Sequence, residues 1–149
     1  YEQKVLEFVQ QNALAEKVIF LSKTSAAKDV GFVTAADFPA IYQQALCMIY
    51  PSIFEGFGIP VLEALTAGIP VITSNISCLP EAGGDAAIYV NPFEVQSIAQ
   101  AMHNVATDGL LRSTSIAKGL QHAQQFTPQK CAARVMQVYE QTLQHAATQ

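Results

Sequence analysis

The chain has 149 residues, a length typical of one domain with a substantial core, and 50% of them are hydrophobic while only 13% are charged. Soluble domains carry about 25% charged residues, so this charged fraction is about half the usual one, and the high hydrophobic fraction excludes an intrinsically disordered chain. The formal net charge of −4 argues against a nucleic-acid partner, and the sequence lacks the apolar stretch of about 18 residues that a transmembrane helix needs.

The first third of the sequence predicts two helices and two strands. Residues 1–14 show the apolar periodicity of a helix. The continuous apolar run Val18–Leu21 predicts a strand buried on both faces, and residues 22–31 predict a loop. Ala36–Ala45 predicts a short helix, and Leu46–Tyr50 predicts a second buried strand.

The rest of the sequence continues this alternation of helices and strands. A helix is predicted over Pro60–Ala67, because a proline stands at its start and Gly68 follows its end. Pro70–Ser74 and Ala87–Val90 predict a third and a fourth strand. The last predicted helices cover about residues 94–107, 109–124 and 128–146. Short apolar strands that alternate with helices predict an α/β fold, a Rossmann-like three-layer sandwich with a parallel sheet.

The loop after the second predicted strand carries the first sign of a binding site. Gly56 and Gly58 let the backbone turn tightly and approach a ligand closely. The amides of Phe57, Gly58 and Ile59 then lie at the N-terminus of the following helix. Unpaired N–H groups and the positive end of the helix dipole favour an anion there, and phosphate suits such a place well.

Two glutamates flank this loop in the sequence. Glu55 and Glu63 carry carboxylates, which accept hydrogen bonds strongly from hydroxyl groups. A nucleoside diphosphate sugar, with a central pyrophosphate and hydroxyl-rich ends, would match the amides and both carboxylates. Simpler interpretations remain open: Glu63 is favoured near a helix start anyway, Glu55 could cap a loop, and no third glycine at Val61 completes a dinucleotide fingerprint.

Cysteines and histidines do not form a recognisable metal site in the sequence, and no metal is expected. Cys47, Cys78 and Cys131 lie far apart with no C-x-x-C pair, which suits a reducing compartment and three buried free thiols. The histidines lie in Gln-rich helical stretches and are expected at the surface; they are His103, His122 and His145.

The candidate loop and its surroundings resemble a known family. Glu55–Glu63 resembles the E-x7-E signature of the retaining glycosyltransferases of family 4. Further segments that resemble this family are Phe38–Ala45, Ala64–Asn75 and Leu79–Ala87. The resemblance covers about residues 15–140. It implies that residues 1–149 are a truncated nucleotide-sugar-binding domain, part of the C-terminal domain of a two-domain B-type glycosyltransferase.

The resemblance also implies roles for individual residues. Glu55, the catalytic residue, would bind hydroxyls of the transferred sugar, and Glu63 would bind those of the ribose. Amides in the loop would contact the distal phosphate, and the segment around Gly31 would line the base pocket. The whole expected donor-binding set is Phe32, Val33, Glu55, Gly56, Phe57, Gly58, Ile59 and Glu63. The family's basic Arg and Lys pair would precede Tyr1, so the chain is expected to be partial.

The implied activity belongs to a longer parent protein. The parent would transfer a sugar from a nucleoside diphosphate sugar to a hydroxyl acceptor in polysaccharide or glycoconjugate synthesis, with no metal or other cofactor. Its partners would be the nucleotide-sugar donor and a missing N-terminal acceptor domain. A cytoplasmic location is expected, with peripheral membrane association left open, and this chain alone would be inactive. A non-catalytic nucleotide-binding module, a sugar-nucleotide epimerase and a phosphorylase on the same scaffold remain alternatives.

Overall fold

A computed structural model describes residues 1–24 and 37–147, and the chain divides into two compact units, Tyr1–Phe38 and Pro39–Gln149. The first unit contains helix α1 (Glu2–Gln11), which confirms the predicted N-terminal helix. Its apolar face carries the buried Val9, as the helical periodicity predicts.

The predicted strand Val18–Leu21 is wrong. The N–H of Val18 donates to the carbonyl of Leu14 at 3.0 Å, and Leu21–Lys23 form a 3₁₀ turn. Ile19 is 74% exposed. A strand needs a neighbour whose backbone completes its hydrogen bonds, and within the described residues no strand pairs with this segment. The predicted loop that follows is described only as far as residue 24.

The remaining elements follow the predicted order along the chain. They are α2 (Phe38–Gln44), β1 (Met48–Tyr50), α3 (Ile59–Thr66), β2 (Val71–Ser74), α4 (Leu79–Gly83), β3 (Ile88–Val90), α5 (Val95–Thr107), α6 (Gly109–Ala123), a 3₁₀ turn (Gln124–Phe126) and α7 (Pro128–Ala147). Most boundaries lie close to the predicted ones. The short helix α4 was not predicted.

The three strands form one parallel sheet in the order β1-β2-β3. Met48 pairs with Val71 in the first ladder, and Ile72 pairs with Ile88 in the second. Parallel neighbours need crossover connections, and α3 and α4 lie on these connections. All three strands therefore end at the same edge of the sheet.

Helices cover both faces of the central strand β2, whose side chains alternate between the two faces. Val71 belongs to a buried cluster with Val61 and Leu65 of α3. Its neighbour Ile72 belongs to a second cluster with Val105 of α5. The sheet is thus enclosed between two helical layers, which confirms the predicted Rossmann-like three-layer sandwich.

The cysteines depart in part from their predicted burial. All three are free thiols. Cys47 is half-buried and packs against the second cluster, and Cys78 is half-buried as well. The prediction is wrong for Cys131, which is exposed because it lies on α7, a helix whose described side chains are all exposed.

Two of the three histidines lie at the surface as predicted. His103 and His145 are exposed. His122 is half-buried: its ring lies 5.1 Å from that of Phe126, and its Nε2 is 3.2 Å from the carbonyl oxygen of Glu81.

In the part of the chain that the structure describes, no helix combines the length and the apolar character needed to cross a bilayer.

Candidate functional site

The candidate site lies where β1 ends and the chain enters α3. In parallel α/β sheets, ligands bind outside the carboxyl ends of the strands. The loop from Pro51 to Gly58 leaves β1 at this edge and carries Glu55. Glu63 is the fifth residue of α3 and lies in its second turn, exposed. The structure thus places both predicted glutamates on one strand–loop–helix unit.

Hydroxyl groups of β2 fix the backbone at the start of this loop. The Thr73 hydroxyl donates to the carbonyl of Tyr50 at 2.8 Å, and the Ser74 hydroxyl donates to the carbonyl of Ser52 at 2.6 Å. Thr73 and Ser74 are both 0% exposed. Buried hydroxyls need hydrogen-bond partners. The loop carbonyls are those partners, which explains why two polar residues can be buried in this otherwise apolar strand.

A second pair of contacts holds the backbone of Glu55 itself. The Ser77 hydroxyl donates to the carbonyl of Glu55 at 3.3 Å, and the Cys78 thiol donates to the same oxygen at 3.1 Å. Ser77 has a φ of 60°, a left-handed conformation that costs energy in a non-glycine residue and often occurs near functional sites. The turn after β2 thus supports Glu55 directly.

The Glu55 carboxylate is held by hydrogen bonds from the same strand and loop. The hydroxyl of Tyr50 donates to Oε1 of Glu55 at 2.5 Å. Hydrogen bonds from Tyr50, first, and from the Ser52 side chain lower the pKa of Glu55 below its ordinary value. The same bond, with burial and the glutamate charge, raises the pKa of Tyr50 to about 12. Glu55 is therefore an ionised hydrogen-bond acceptor with low basicity.

The carboxylate of Glu63 also receives a tyrosine hydroxyl. Tyr42 of α2 donates to Oε2 of Glu63 at 3.3 Å. Burial, followed by the charge of Glu63 and this hydrogen bond, raises the pKa of Tyr42. Since an ionised carboxylate has about four acceptor positions, both glutamates keep acceptor capacity for ligand hydroxyls.

The N-terminus of α3 offers backbone donors between the two glutamates. Gly58 caps the helix with a φ of 102°, and its carbonyl accepts the N–H of Val61 at 2.9 Å. Within the described residues, the N–H groups of Phe57, Gly58 and Ile59 have no hydrogen-bond acceptor. Free donors at a helix N-terminus suit an anion.

The side chain of Phe57 belongs to a different environment. Its ring lies 5.5 Å from that of Phe126. A cavity of about 420 Å³ opens beside these rings; its lining consists of Phe57, Leu62, Glu81, Phe126, Cys131 and Arg134. This described lining includes neither Glu55 nor Glu63.

Two predicted site residues cannot be placed. Phe32 and Val33, with the neighbouring Gly31, lie outside the described residues.

Gly56 is exposed, and a Cβ at this position would meet no atom within 4 Å, so the chain itself does not require a glycine there. Among the described residues, no group of three or more metal-ligating side chains comes together.

Sequence reasoning missed the residues that hold the two glutamates. Tyr42 lies in the predicted helix Ala36–Ala45 and Tyr50 in the predicted strand Leu46–Tyr50, and neither was among the predicted site residues. Thr73 and Ser74 gave a usable signal, because hydroxyl residues inside a buried strand need acceptors. The φ of Ser77 had no signal in the sequence.

Comparison with known proteins identifies one matching family. The family model described as glycosyl transferases group 1 matches residues 2–122. This range covers most of the chain and contains Glu55, Glu63 and the loop between them.

Several curated proteins are similar in sequence. O-antigen chain mannosyltransferase B of Escherichia coli is 37% identical over 111 residues, which are 74% of this chain and 29% of that protein. The serotype-specific mannosyltransferase WbdA of Escherichia coli is 30% identical over 145 residues, which are 94% of this chain and 18% of that protein. O-antigen chain mannosyltransferase RfbU of Salmonella typhimurium is 34% identical over 105 residues, which are 70% of this chain and 27% of that protein.

A solved structure is similar in fold. The sucrose-phosphate synthase of Thermosynechococcus elongatus superposes with a TM-score of 0.73 at 25% identity, covering 96% of this chain and 34% of that one. The chain spans less than a third of the length of the curated relatives described above, at 18% to 29%.

Proposed function

Because this chain belongs to the group 1 glycosyl transferase family, we propose that it is the donor-binding part of an enzyme that transfers a sugar from a nucleoside diphosphate sugar to a hydroxyl acceptor. The observation that carries this proposal is the pair of glutamates at the carboxyl end of the sheet, with free backbone N–H groups between them. Glu55 accepts hydrogen bonds from the transferred sugar, and Glu63 accepts them from the ribose. The donors of Phe57, Gly58 and Ile59 bind the diphosphate.

The state of the Glu55 carboxylate favours binding over covalent chemistry. Its pKa is lowered by the hydroxyls of Tyr50 and Ser52, and a weaker base is a poorer nucleophile and a poorer proton acceptor. We propose a front-face displacement with retention at the sugar carbon. The bond from that carbon to the diphosphate oxygen breaks, the acceptor oxygen bonds on the same face, and the acceptor proton passes to the leaving phosphate. Analysis of the anomeric configuration of the product tests this step.

The charge that develops on the leaving diphosphate needs stabilisation. Fixed N–H donors at the N-terminus of α3 supply it without reorganisation during the reaction. We therefore propose that transfer needs no metal ion. Full activity of the parent in the presence of a strong chelator is the expected result, and restoration of lost activity by a divalent metal would contradict the proposal.

The names of the relatives suggest the sugar and the product. Three similar proteins are named as mannosyltransferases, two of them of the O-antigen chain. We propose a mannosyl donor and a polysaccharide product for the parent, with acceptor binding in a separate N-terminal domain. The isolated chain would then show no turnover. Its three free cysteines suit the reducing conditions of a cytoplasmic location.

Substitution of Glu55 in the parent protein tests the donor role. Glu55→Gln should abolish transfer yet leave the affinity for the free nucleoside diphosphate largely unchanged, because only the sugar contact is lost. Glu81→Gln, which alters an exposed glutamate outside this site, is the matched control and should behave as the wild type. Transfer that survives Glu55→Gln would refute the proposed role.

A ligand screen tests the donor class independently. Thermal unfolding of the parent is measured with UDP-, GDP- and ADP-sugars at equal concentration. A ligand at 100 times its dissociation constant stabilises the native state by about 2.7 kcal/mol, so the true donor should give the largest shift. Stabilisation by bare nucleotides alone, with no sugar transferred, would favour the alternative of a binding module.

A further inference from the structure

Two tyrosine hydroxyls reach the two glutamates from earlier parts of the fold. We propose that Tyr50 and Tyr42 are positioning residues: Tyr50 orients the carboxylate that holds the transferred sugar, and Tyr42 orients the one that holds the ribose. This inference rests on the proposed function, and it divides donor recognition between two separate tyrosine–glutamate pairs.

Tyr50 is placed to fix Glu55 in one orientation. It is the last residue of β1, and its carbonyl is held by Thr73 at 2.8 Å. Its ring packs against the buried cluster around Val61, and its hydroxyl donates to Oε1 of Glu55 at 2.5 Å. The backbone, the ring and the hydroxyl of Tyr50 are therefore all held, and the carboxylate of Glu55 keeps acceptor positions for a sugar hydroxyl.

Tyr42 does the same for Glu63 from a different element. It lies on α2, 21 residues before Glu63, and its hydroxyl reaches Oε2 at 3.3 Å. Its ring packs against the same buried cluster as that of Tyr50. The two tyrosines are also close enough that Tyr42 contributes to the raised pKa of Tyr50. The longer hydrogen bond predicts a smaller effect at Glu63 than at Glu55.

Replacement by phenylalanine separates the positioning role from a structural one. Each ring is half-buried against the core cluster and each hydroxyl donates to a glutamate, so phenylalanine keeps the packing and removes the donor. Tyr89 provides a matched control, because its hydroxyl donates to the carbonyl of Gly84 at 2.6 Å and touches neither glutamate. A structural role for a hydroxyl would affect all three variants alike.

The charge of Glu55 adds a readout that packing alone would not move. The Tyr50 hydroxyl is the main cause of the lowered pKa of Glu55. In Tyr50→Phe that pKa should rise toward its ordinary value, so the carboxylate becomes protonated at a higher pH. The acidic limb of the pH profile of kcat should therefore move to higher pH in Tyr50→Phe and stay in place in Tyr89→Phe.

The experiment measures steady-state transfer by the whole parent protein as the donor concentration is varied. Because the lost hydrogen bond joins Tyr50 to a charged group, Tyr50→Phe should lower kcat about 10- to 100-fold. Its KM for the donor and its affinity for the free nucleoside diphosphate should change little. Tyr42→Phe should instead raise KM and weaken nucleoside diphosphate binding, by up to about tenfold. Tyr89→Phe should leave kcat and KM at the wild-type values.

The outcomes distinguish this inference from the proposed function. If Glu55→Gln abolishes transfer while Tyr50→Phe matches Tyr89→Phe in kcat and in pH profile, the positioning role is refuted and the donor site stands. If Glu55→Gln leaves transfer intact, both proposals fail. If Tyr50→Phe loses nucleoside diphosphate binding together with a large drop in unfolding temperature, its role is structural and the inference is overturned.

Discussion

The sharpest stability prediction concerns Gly58, the residue that caps α3 within the candidate site. Its φ of 102° lies in the left-handed region, which side chains other than that of glycine adopt at a cost. A Cβ at this position would lie 2.9 Å from Cδ2 of Leu79 and 3.2 Å from Cβ of Ala82. Both neighbours are completely buried, so neither has free space to move into. Gly58→Ala combines backbone strain with overpacking.

The magnitude follows from these two effects. A left-handed backbone costs about 1–2 kcal/mol in alanine, and overpacking costs about 1–3 kcal/mol. The reduced freedom of the unfolded chain offsets about 0.4–1 kcal/mol. We expect Gly58→Ala to lower the free energy of unfolding by roughly 3 kcal/mol, which corresponds to a fall of about 6–12 °C in unfolding temperature for a domain of this size.

Scanning calorimetry of the parent protein measures this change. Gly56→Ala is the matched control two residues away, because its Cβ would meet no atom within 4 Å and its backbone is outside the left-handed region. The control should unfold at the wild-type temperature. If Gly58→Ala unfolded within about 2 °C of the wild type, less than the shift for 1 kcal/mol, the geometry of the helix cap would be wrong.

Three further predictions concern the buried Leu65, the helix cap at Asp108 and the hydrogen bond between Tyr50 and Glu55. Leu65 is 1% exposed in the core, so Leu65→Ala should cost about 2–5 kcal/mol in denaturant unfolding, and a loss below 1 kcal/mol would contradict its burial. The Asp108 side chain accepts the N–H of Leu111 at 2.9 Å, and Asp108→Ala should cost about 1 kcal/mol in the same assay, whereas Asp108→Asn should cost much less. The lowered pKa of Glu55 means that its contribution is present above the ordinary glutamate pKa of about 4.3 and is lost as pH falls through the lowered value. The difference in unfolding temperature between the wild type and Tyr50→Phe should therefore shrink on acidification, and a constant difference would argue against the Tyr50–Glu55 bond.

The fold predictions were correct where neighbouring residues in the sequence determine the structure. Pro60 and Gly68 mark the limits of α3 with residues whose backbone preferences are strong, and the prediction there was close. Val18–Leu21 is the more apolar of two predicted strand segments, yet of these two only Val71–Ser74 forms a strand. Whether an apolar run is a strand depends on neighbours that are distant in sequence, and local pattern does not contain them.

The helix α4 was missed for a local reason. Leu79–Gly83 contains Pro80 and ends at two successive glycines, a composition typical of turns. The helix is only five residues long, and its burial rather than its propensity holds it. Leu79 and Ala82 are completely buried. The sequence, whose composition is typical of a loop, does not predict this burial.

The two glutamates of the candidate site could be singled out from the sequence, whereas the residues that hold them could not. Glu55 and Glu63 stand out for two reasons. Charged residues are rare in this chain, and these two glutamates flank a glycine-containing loop. Tyr42 and Tyr50 do not stand out, because a tyrosine fits an apolar helix face or strand equally well. Their role depends on where the hydroxyl ends, and for Tyr42 that point is 21 residues away in sequence.

The buried hydroxyls of Thr73 and Ser74 have a consequence for how this site could be altered. Thr73 and Ser74 are adjacent in β2, and adjacent residues of a strand point to opposite faces. Their hydroxyls therefore hold the carbonyls of Tyr50 and Ser52 from opposite sides of the sheet. The path of the loop backbone is therefore held by hydroxyls of the central strand and by the Ser52 hydroxyl, which donates to the carbonyl of Phe54 at 3.2 Å. Ile53 and Phe54, which are exposed, can be exchanged freely in a library while the frame stays in place. Substitutions at these two positions are therefore expected to change the surface of the loop and to leave its backbone as it is.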